Sequence, residues 1–296
     1  MRNKRLIVNY HLMLLPGVLL LFVFCVIPMF GVVIAFQDFV PGIRIWDQEW
    51  IGLGNFEFMM DIPDSKKVFI NTVVIASMKI VAGTIVPIAF ALLLHEVRIG
   101  WFKRWVQTIV YLPHFMSWVI LAGIMVTMLS LDGIVNLIVK AFGGEPIMFL
   151  ASNDWFRPIV VGSDVWKEFG FSAIVYLAAL TGINPSLYEA AEIDGANRFK
   201  KLIHITLPGI TPTIVLLATL SLGNILNAGF DQIFNLYNPL VYSSGDIIDT
   251  YVYRMGLVES QYGLATAVGL LKSIVAIILI LISYRLAAKF ANYRIF

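Results

Sequence analysis

Long apolar runs separated by short polar stretches dominate this chain. Six runs are long enough to cross a bilayer, near residues 12–36, 69–94, 105–129, 158–181, 210–235 and 263–288. Each holds about 24 to 26 residues, or roughly 36–39 Å of helix against a hydrocarbon core of about 30 Å, so tilt or overhang is expected. The pattern predicts an all-α membrane protein with six transmembrane helices. Arg2, Lys4 and Arg5 precede the first run, as they would a secretory signal. Its apolar stretch is too long for a signal core and no small-x-small site closes it, so it is expected to stay as a span.

Composition agrees. Hydrophobic residues make up 59% of the 296 and charged residues 14%, with a mean hydropathy of +0.84. A soluble domain carries about 25% charge, so lipid is the expected solvent. The net charge of +2 gives no reason to expect a nucleic-acid partner. The lone Cys25 excludes an intrachain disulfide.

Loop lysines and arginines set the orientation. With the N-terminus inside, the cytoplasmic set is Arg2, Lys4, Arg5, Arg98, Lys103, Arg104, Arg198, Lys200, Lys201, Arg285, Lys289 and Arg294. The outer set is Arg44, Lys66, Lys67, Lys140, Arg157 and Arg254, half as many. Both termini are therefore expected in the cytoplasm. So is the polar insert at 182–209 between the fourth and fifth runs.

That insert reads as a helical hairpin. Asn184 is a good N-cap and Pro185 suits the first helical position. Glu189 and Glu192 lie three apart on one face, Leu187, Ala190 and Ala191 offer low-relief contact surface, and Gly195 can end the helix in the left-handed conformation. A second short helix is expected over about 196–205, before Pro208 and Pro212 restart the chain as the fifth span. A long polar insert in such a chain points to a soluble partner; a loop lying on the headgroups is the plainer alternative.

Polar residues inside the spans are candidates for a substrate path, because facing lipid would be costly. On the fifth run Ser221, Asn224, Asn227 and Asp231 recur at three-to-four-residue spacing, with Gln232 beside them. On a continuous helix they would fall within about 120° of arc. Carboxamides and carboxylates suit sugar hydroxyls, while helix–helix polar contact is the structural alternative for any single asparagine. The fourth run carries Trp166-Lys167-Glu168-Phe169-Gly170-Phe171, an ion pair among aromatic rings of the kind pyranoses stack upon. Lys79 and Lys272 are expected to snorkel outwards or to pair with Glu168; substrate contact is the alternative, and both facing the cavity would favour an acidic sugar, against which Asp231 argues. Pro28, Pro87 with Gly83, and Pro113 are expected to kink spans. The four histidines have no metal-ligand spacing.

The hairpin also carries a family resemblance. Glu189-Ala190-Ala191, Asp194-Gly195-Ala196, Phe199 and Leu207-Pro208 resemble the EAA signature of binding-protein-dependent ABC permeases. Asn197-Arg198 departs from it, since many members have Ser or Thr and an aromatic there. Gly52-Leu53, Asn55-Phe56 and Asn71-Thr72 resemble the outer-loop signature of the carbohydrate-uptake branch. Tyr111-Leu112-Pro113, Ser117-Trp118-Val119 and the stretch 249–254 resemble an oligosaccharide- and polysaccharide-importing subgroup.

The resemblance implies one permease domain over 1–296, with residues 184–208 as the cytoplasmic coupling loop. Its coupling residues would be Glu189, Ala190, Ala191, Asp194 and Gly195. It implies a second permease subunit, two ATP-binding subunits, an extracytoplasmic solute-binding protein and an oligosaccharide substrate, all at a bacterial cytoplasmic membrane. Glu168, Phe171, Asp231 and Gln232 fall where the family makes sugar contacts, and Phe171, Asn224 and Asn227 are expected to touch substrate. ATP and Mg would be bound by the partner, because no G-x-x-x-x-G-K-[ST] loop occurs in this chain. A secondary-active transporter is the alternative; it would carry ion-coupled carboxylates in broken helices with an inverted repeat, which is not seen. A membrane enzyme would need a His-Glu-x-x-His helix or paired intramembrane aspartates, and neither occurs.

Overall fold

The computed structural model describes residues 2–291, with side chains over 9–285. The charged side chains read at Arg2, Lys4, Arg5 and Lys289 lie outside the described side chains, and Arg294 lies outside the described residues. Helix α1 (Arg2–Leu21) continues through a π-helical turn, Phe22–Val26, and a 3-10 stretch, Phe30–Phe36. A two-stranded antiparallel ribbon follows, β1 (Gln37–Asp38) with β2 (Glu49–Trp50), Gln37 opposite Trp50. Then come α2 (Gly54–Asp61), α3 (Pro63–Glu96), α4 (Gly100–Tyr111), α5 (Trp118–Leu129), α6 (Ile134–Ala141) and α7 (Asn153–Thr181). The rest is α8 (Pro185–Ile193), α9 (Arg198–Gly223), α10 (Phe230–Leu236), α11 (Ile248–Tyr253) and α12 (Tyr262–Ala291).

Five stretches are long and apolar enough to cross a membrane: Asn9–Phe36, Pro63–Glu96, Trp118–Ala141, Arg198–Gly223 and Tyr262–Arg285. The sixth is α7, which qualifies together with α8 as a pair bent by 66°. Among the described residues this makes five candidate crossings, or six with the bent pair, and two boundaries move. The run 105–129 is not one helix. Pro113, with no N–H to give, sits in a 3-10 turn over Leu112–Phe115, and Ser117 caps α5 by accepting from Ile120 N at 3.4 Å. The apolar crossing begins at Trp118 instead.

The second correction is at Pro208, where no restart occurs. Helix α9 runs through a π-helical turn, Leu202–Thr206, and Leu207 N donates to Leu202 O. The wider turn leaves the ring of the following proline room against the preceding backbone. Pro28 follows the same device, one residue after Ile27 N donates to Phe22 O. Pro87 stays inside the 34-residue α3.

The chain packs as two compact units, one of residues up to Pro63 with Tyr251–Leu271, the other of Asp64–Thr250 with the chain from Lys272. In the first, two buried amides, Gln37 and Gln48, and the half-buried Asn55 fix the loop around the ribbon. Asn55 Nδ2 donates to Ala35 O and Gln37 O, Gln37 Nε2 to Ile45 O, and Gln48 Nε2 to Val40 O and Ile43 O. In the second, α3, α7 and the segments after α9 pack around two apolar clusters. One gathers Ile75, Ala76, Phe156, Val160, Ala228 and Ile233; the other gathers Ala91, Ala173, Tyr176, Leu180 and Ile210. Between those clusters, along α3 and α7, the side chains turn polar.

Candidate functional site

Two features of the second unit bear on function: an exposed hairpin and a polar cavity. The hairpin follows its local chemistry closely. Asn184 Oδ1 accepts from Ser186 N at 3.0 Å and Pro185 opens α8. The helix closes with paired bonds, Gly195 N to Glu192 O at 3.1 Å and Ala196 N to Ala191 O at 2.8 Å. Gly195 supplies the required φ of +73°. Asn197 Oδ1 then accepts from Lys200 N at 2.9 Å and caps α9. Lys201 Nζ reaches back to Glu192 at 3.1 Å, and Tyr188 OH bonds Thr206 at 3.0 Å. The hairpin is thus rigid, yet Leu187, Ile193 and Phe199 stay exposed, Ile193 by 88%. Glu189 is exposed beside them and makes no ion pair among the described residues.

The cavity has a volume of about 520 Å³ and lies among α3, α7, the end of α9 and the segment after it. Lys79, Thr84, Asp164, Phe171, Ser172, Tyr176, Ser221, Asn224 and Asn227 line it, with Ala76, Ile80, Val175, Leu217 and Leu220 as apolar wall. Phe171 and Tyr176 present rings, and the carboxamides and hydroxyls present donors and acceptors. This mixture suits a polyhydroxylated ring compound.

One ammonium group organises the wall. Lys79 Nζ donates to Asp164 Oδ1 at 3.1 Å, to Ala228 O at 2.7 Å and to Gln232 Oε1. Gln232 is 0% exposed, and its Nε2 donates to Val160 O and Ser163 Oγ, each at 2.7 Å. All three ammonium protons and the whole Gln232 amide are therefore satisfied inside the protein, as an ionic network in a low-dielectric setting requires. Lys272 grips the same segment separately, donating to Asn227 Oδ1 at 3.0 Å and Asp249 Oδ1 at 2.5 Å.

The expected fifth-helix stripe is not a helical face. Helix α9 ends at Gly223, residues 224–229 form an irregular break, and Gly229 takes φ +98° before α10 begins. The 120° arc drawn for Ser221, Asn224, Asn227 and Asp231 thus fails. The polar run that looked like a helix face is the break itself, because Asn224, Asn227 and Gly229, three of its six residues, favour turns over helix. Ser221, on the last turn of α9, and Asn224 and Asn227, in the break, still reach the cavity. Asp231 is exposed and lies outside its lining, and Gln232 is buried as the anchor of Lys79.

On α7, Phe171 lines the cavity while Glu168 does not. Glu168 holds Lys167 at 2.9 Å and His114 Nδ1 at 2.7 Å, and the His114 ring stacks on Phe171 with centroids 3.9 Å apart. Glu168 therefore touches the site only through the ring that backs Phe171. Gly170 lets α4 approach, since a Cβ there would fall within 3 Å of Val110 O. The partner of Lys79 is Asp164 and that of Lys272 is Asp249; the pairing expected with Glu168 does not form. Asp164 is the residue sequence reasoning missed. An unassigned carboxylate in the fourth apolar run, beside an unassigned lysine in the second, was the available signal. No group of metal-ligating side chains occurs among the described residues.

Comparison with known proteins matches this architecture. Over 302 residues the chain is 42% identical to the polygalacturonan/rhamnogalacturonan transport system permease protein YteP of Bacillus subtilis, covering 100% of this chain and 94% of the relative. It is 43% identical to the protein LplB of the same organism over 97% of this chain and 90% of LplB. A chain in the crystal structure of a bacterial ABC transporter involved in the import of the acidic polysaccharide alginate superposes with a TM-score of 0.89 at 40% identity, over 97% of both chains. A second structure, of the alginate transporter in complex with an alginate pentasaccharide-bound periplasmic protein, gives 0.90 at 38% identity over 99% of this chain and 98% of that one. The model of the binding-protein-dependent transport system inner membrane component matches residues 83–292, which includes the hairpin, the break and the part of the cavity lining from Gly83 onwards, and the chain belongs to that family.

Proposed function

We propose that this permease carries an acidic oligosaccharide, a short chain bearing uronate carboxylates, through the cavity between α3, α7 and the α9 break. The observation that carries the reading is the cavity wall itself: two rings, two carboxamides and one lysine, at a volume of about 520 Å³. The names of the relatives agree in substrate class, since polygalacturonan and alginate are both uronate polymers. Phe171, Asn224 and Asn227 are the contacts assigned to the sugar, with Glu168 and Gln232 supporting them from behind. Asp231 lies outside this set.

The whole chain, 1–296, is taken as one permease domain with both termini in the cytoplasm and residues 184–208 as its coupling element. Glu189, Ala190, Ala191, Asp194 and Gly195 form the docking face for an ATP-binding subunit, which holds ATP and Mg. The exposed apolar edge of Leu187, Ile193 and Phe199 beside an unpaired carboxylate supports this docking. A second permease subunit completes the pore, and an extracytoplasmic binding protein delivers the sugar.

The test is uptake by the assembled importer in proteoliposomes, with trigalacturonate and the methyl ester of trigalacturonate supplied at equal concentration. ATP-dependent accumulation of the acid in preference to the ester is expected. Accumulation without ATP, or a preference for the ester, would overturn the reading.

A further inference from the structure

We infer that Lys79 sets the charge preference of the cavity and that Asp164 occupies, in the empty site, the place a substrate carboxylate takes. The inference rests on the acidic-oligosaccharide reading above and adds the residue that reads the charge.

The geometry separates the three acceptors of Lys79 into two kinds. Ala228 O is main chain, and the Gln232 carboxamide is wholly buried and tied to Val160 and Ser163. These two neutral acceptors fix the ammonium whatever Asp164 does. Asp164 is the exchangeable one. Its side chain is 26% exposed against 10% for Lys79, and one of its carboxylate oxygens makes the sole bond to Lys79 at 3.1 Å. Both residues line the cavity, and they are the sole charged residues in its lining. A uronate carboxylate has the charge and acceptor geometry of an aspartate side chain, so it can take the third position on Nζ while Asp164 turns to solvent within the cavity.

The chemistry around the exchange is suited to a carrier. Lys79 exchanges one carboxylate for another, so its charge is never left bare in an apolar wall. The released Asp164 opposes a tight complex, and a carrier must let its cargo go. The neighbouring carboxamides add donors for the sugar, because Asn224 Nδ2 spends one N–H on Leu220 O and Asn227 Nδ2 one on Asn224 Oδ1. Lys272 offers a contrast in the same unit. It holds an equivalent lysine–aspartate pair and grips Asn227, yet it does not line the cavity.

The experiment measures binding of trigalacturonate and of its methyl ester to the assembled transporter in lipid nanodiscs, with no binding protein present. In wild type the acid is expected to bind more tightly than the ester. Lys79→Gln should erase most of that preference, weakening the acid about tenfold and leaving the ester nearly unchanged. Asp164→Asn removes the competing carboxylate, so the acid should bind several-fold more tightly while its turnover in proteoliposomes falls through slow release. Lys272→Gln should leave the acid-to-ester ratio as in wild type. An unaltered ratio in Lys79→Gln overturns the inference, and so does weaker acid binding in Asp164→Asn, which also serves if Lys79→Gln fails to assemble. A purely structural pair would weaken both ligands equally in both variants. Wild type with no preference between acid and ester overturns the acidic-substrate reading itself.

Discussion

The hairpin of α8 with the start of α9 and the broken end of α9 are built on opposite principles. In the hairpin every decisive bond is local: Asn184 to Ser186, Gly195 to Glu192, Asn197 to Lys200, and Lys201 to Glu192 nine residues away. In the break the decisive bonds are distant. Lys79 meets Asp164 across 85 residues and Gln232 across 153, and Gln232 meets Val160 across 72. The hairpin keeps its shape on its own and offers its surface outward. The break is held open by other helices, and its carboxamides line the cavity. One region is fit to receive force from outside, and the other to change shape around a small ligand.

The largest effect that tests this contrast is expected at Glu189. It is exposed and bonded to nothing among the described residues, so Glu189→Lys should leave the fold and the cavity intact. Opposite charge at a docking surface costs several kcal/mol, so transport-coupled ATP hydrolysis should fall by more than tenfold. Ligand binding to the assembled cavity should not move. A matching loss of ligand affinity would show that the two regions are not separable.

Two glycines sharpen the comparison next, because both take positive φ but in different surroundings. Gly229 at φ +98° sits against the Lys79 ammonium, and a Cβ there would lie 2.8 Å from Nζ. Gly195 at φ +73° has nothing within 4 Å. Left-handed backbone costs a residue with a side chain about 1–2 kcal/mol, so both alanine variants bear that strain. Gly229→Ala must also displace Lys79 from Ala228 and Gln232. It should therefore lower the unfolding midpoint more and weaken ligand binding, whereas Gly195→Ala should alter stability and coupling alone. Gly195→Asn should recover part of the loss, since asparagine tolerates that conformation. Equal effects of the two alanines on ligand binding would contradict the assignment of the break to the cavity.

The same contrast explains what could be read from the chain. Caps, the proline at the first helical position and the glycine stop are written in adjacent residues, so α8 and its closing turn follow from sequence. The six apolar runs are equally local, as are the polar residues that reach the cavity. What sequence could not give is where a helix yields to tertiary demand. Leu207-Pro208 looks like a restart, yet a π-helical turn absorbs it. Asn224 to Gln232 looks like a helical stripe, yet distant lysines stabilise a break that helical periodicity would not select. Asp164 shows in the sequence only as a carboxylate inside an apolar run, because its role lies in its pairing with Lys79 on another helix. Glu168 was placed in the site by its neighbours in sequence, but its bonds lead to Lys167 and His114 instead.

The smallest expected effect lies in the ion pair that braces the hairpin. Lys201 is mostly buried at its side chain, but Glu192 is 78% exposed, so water screens the pair. Exposed pairs contribute about 0.2–1 kcal/mol, and without it the backbone bonds at Gly195 and the Asn197 cap still shape the turn while Tyr188 OH bonds Thr206 across the same two helices. Glu192→Gln should therefore lower the unfolding midpoint slightly at low salt and not measurably at high salt, with coupling to ATP hydrolysis nearly unchanged. Asn197→Ala removes a cap that serves the backbone directly, so it should cost about 1 kcal/mol at either ionic strength. A salt-independent loss in Glu192→Gln larger than that of Asn197→Ala would mean that the hairpin is held by its charges. Its local backbone chemistry would then not be enough to make it rigid.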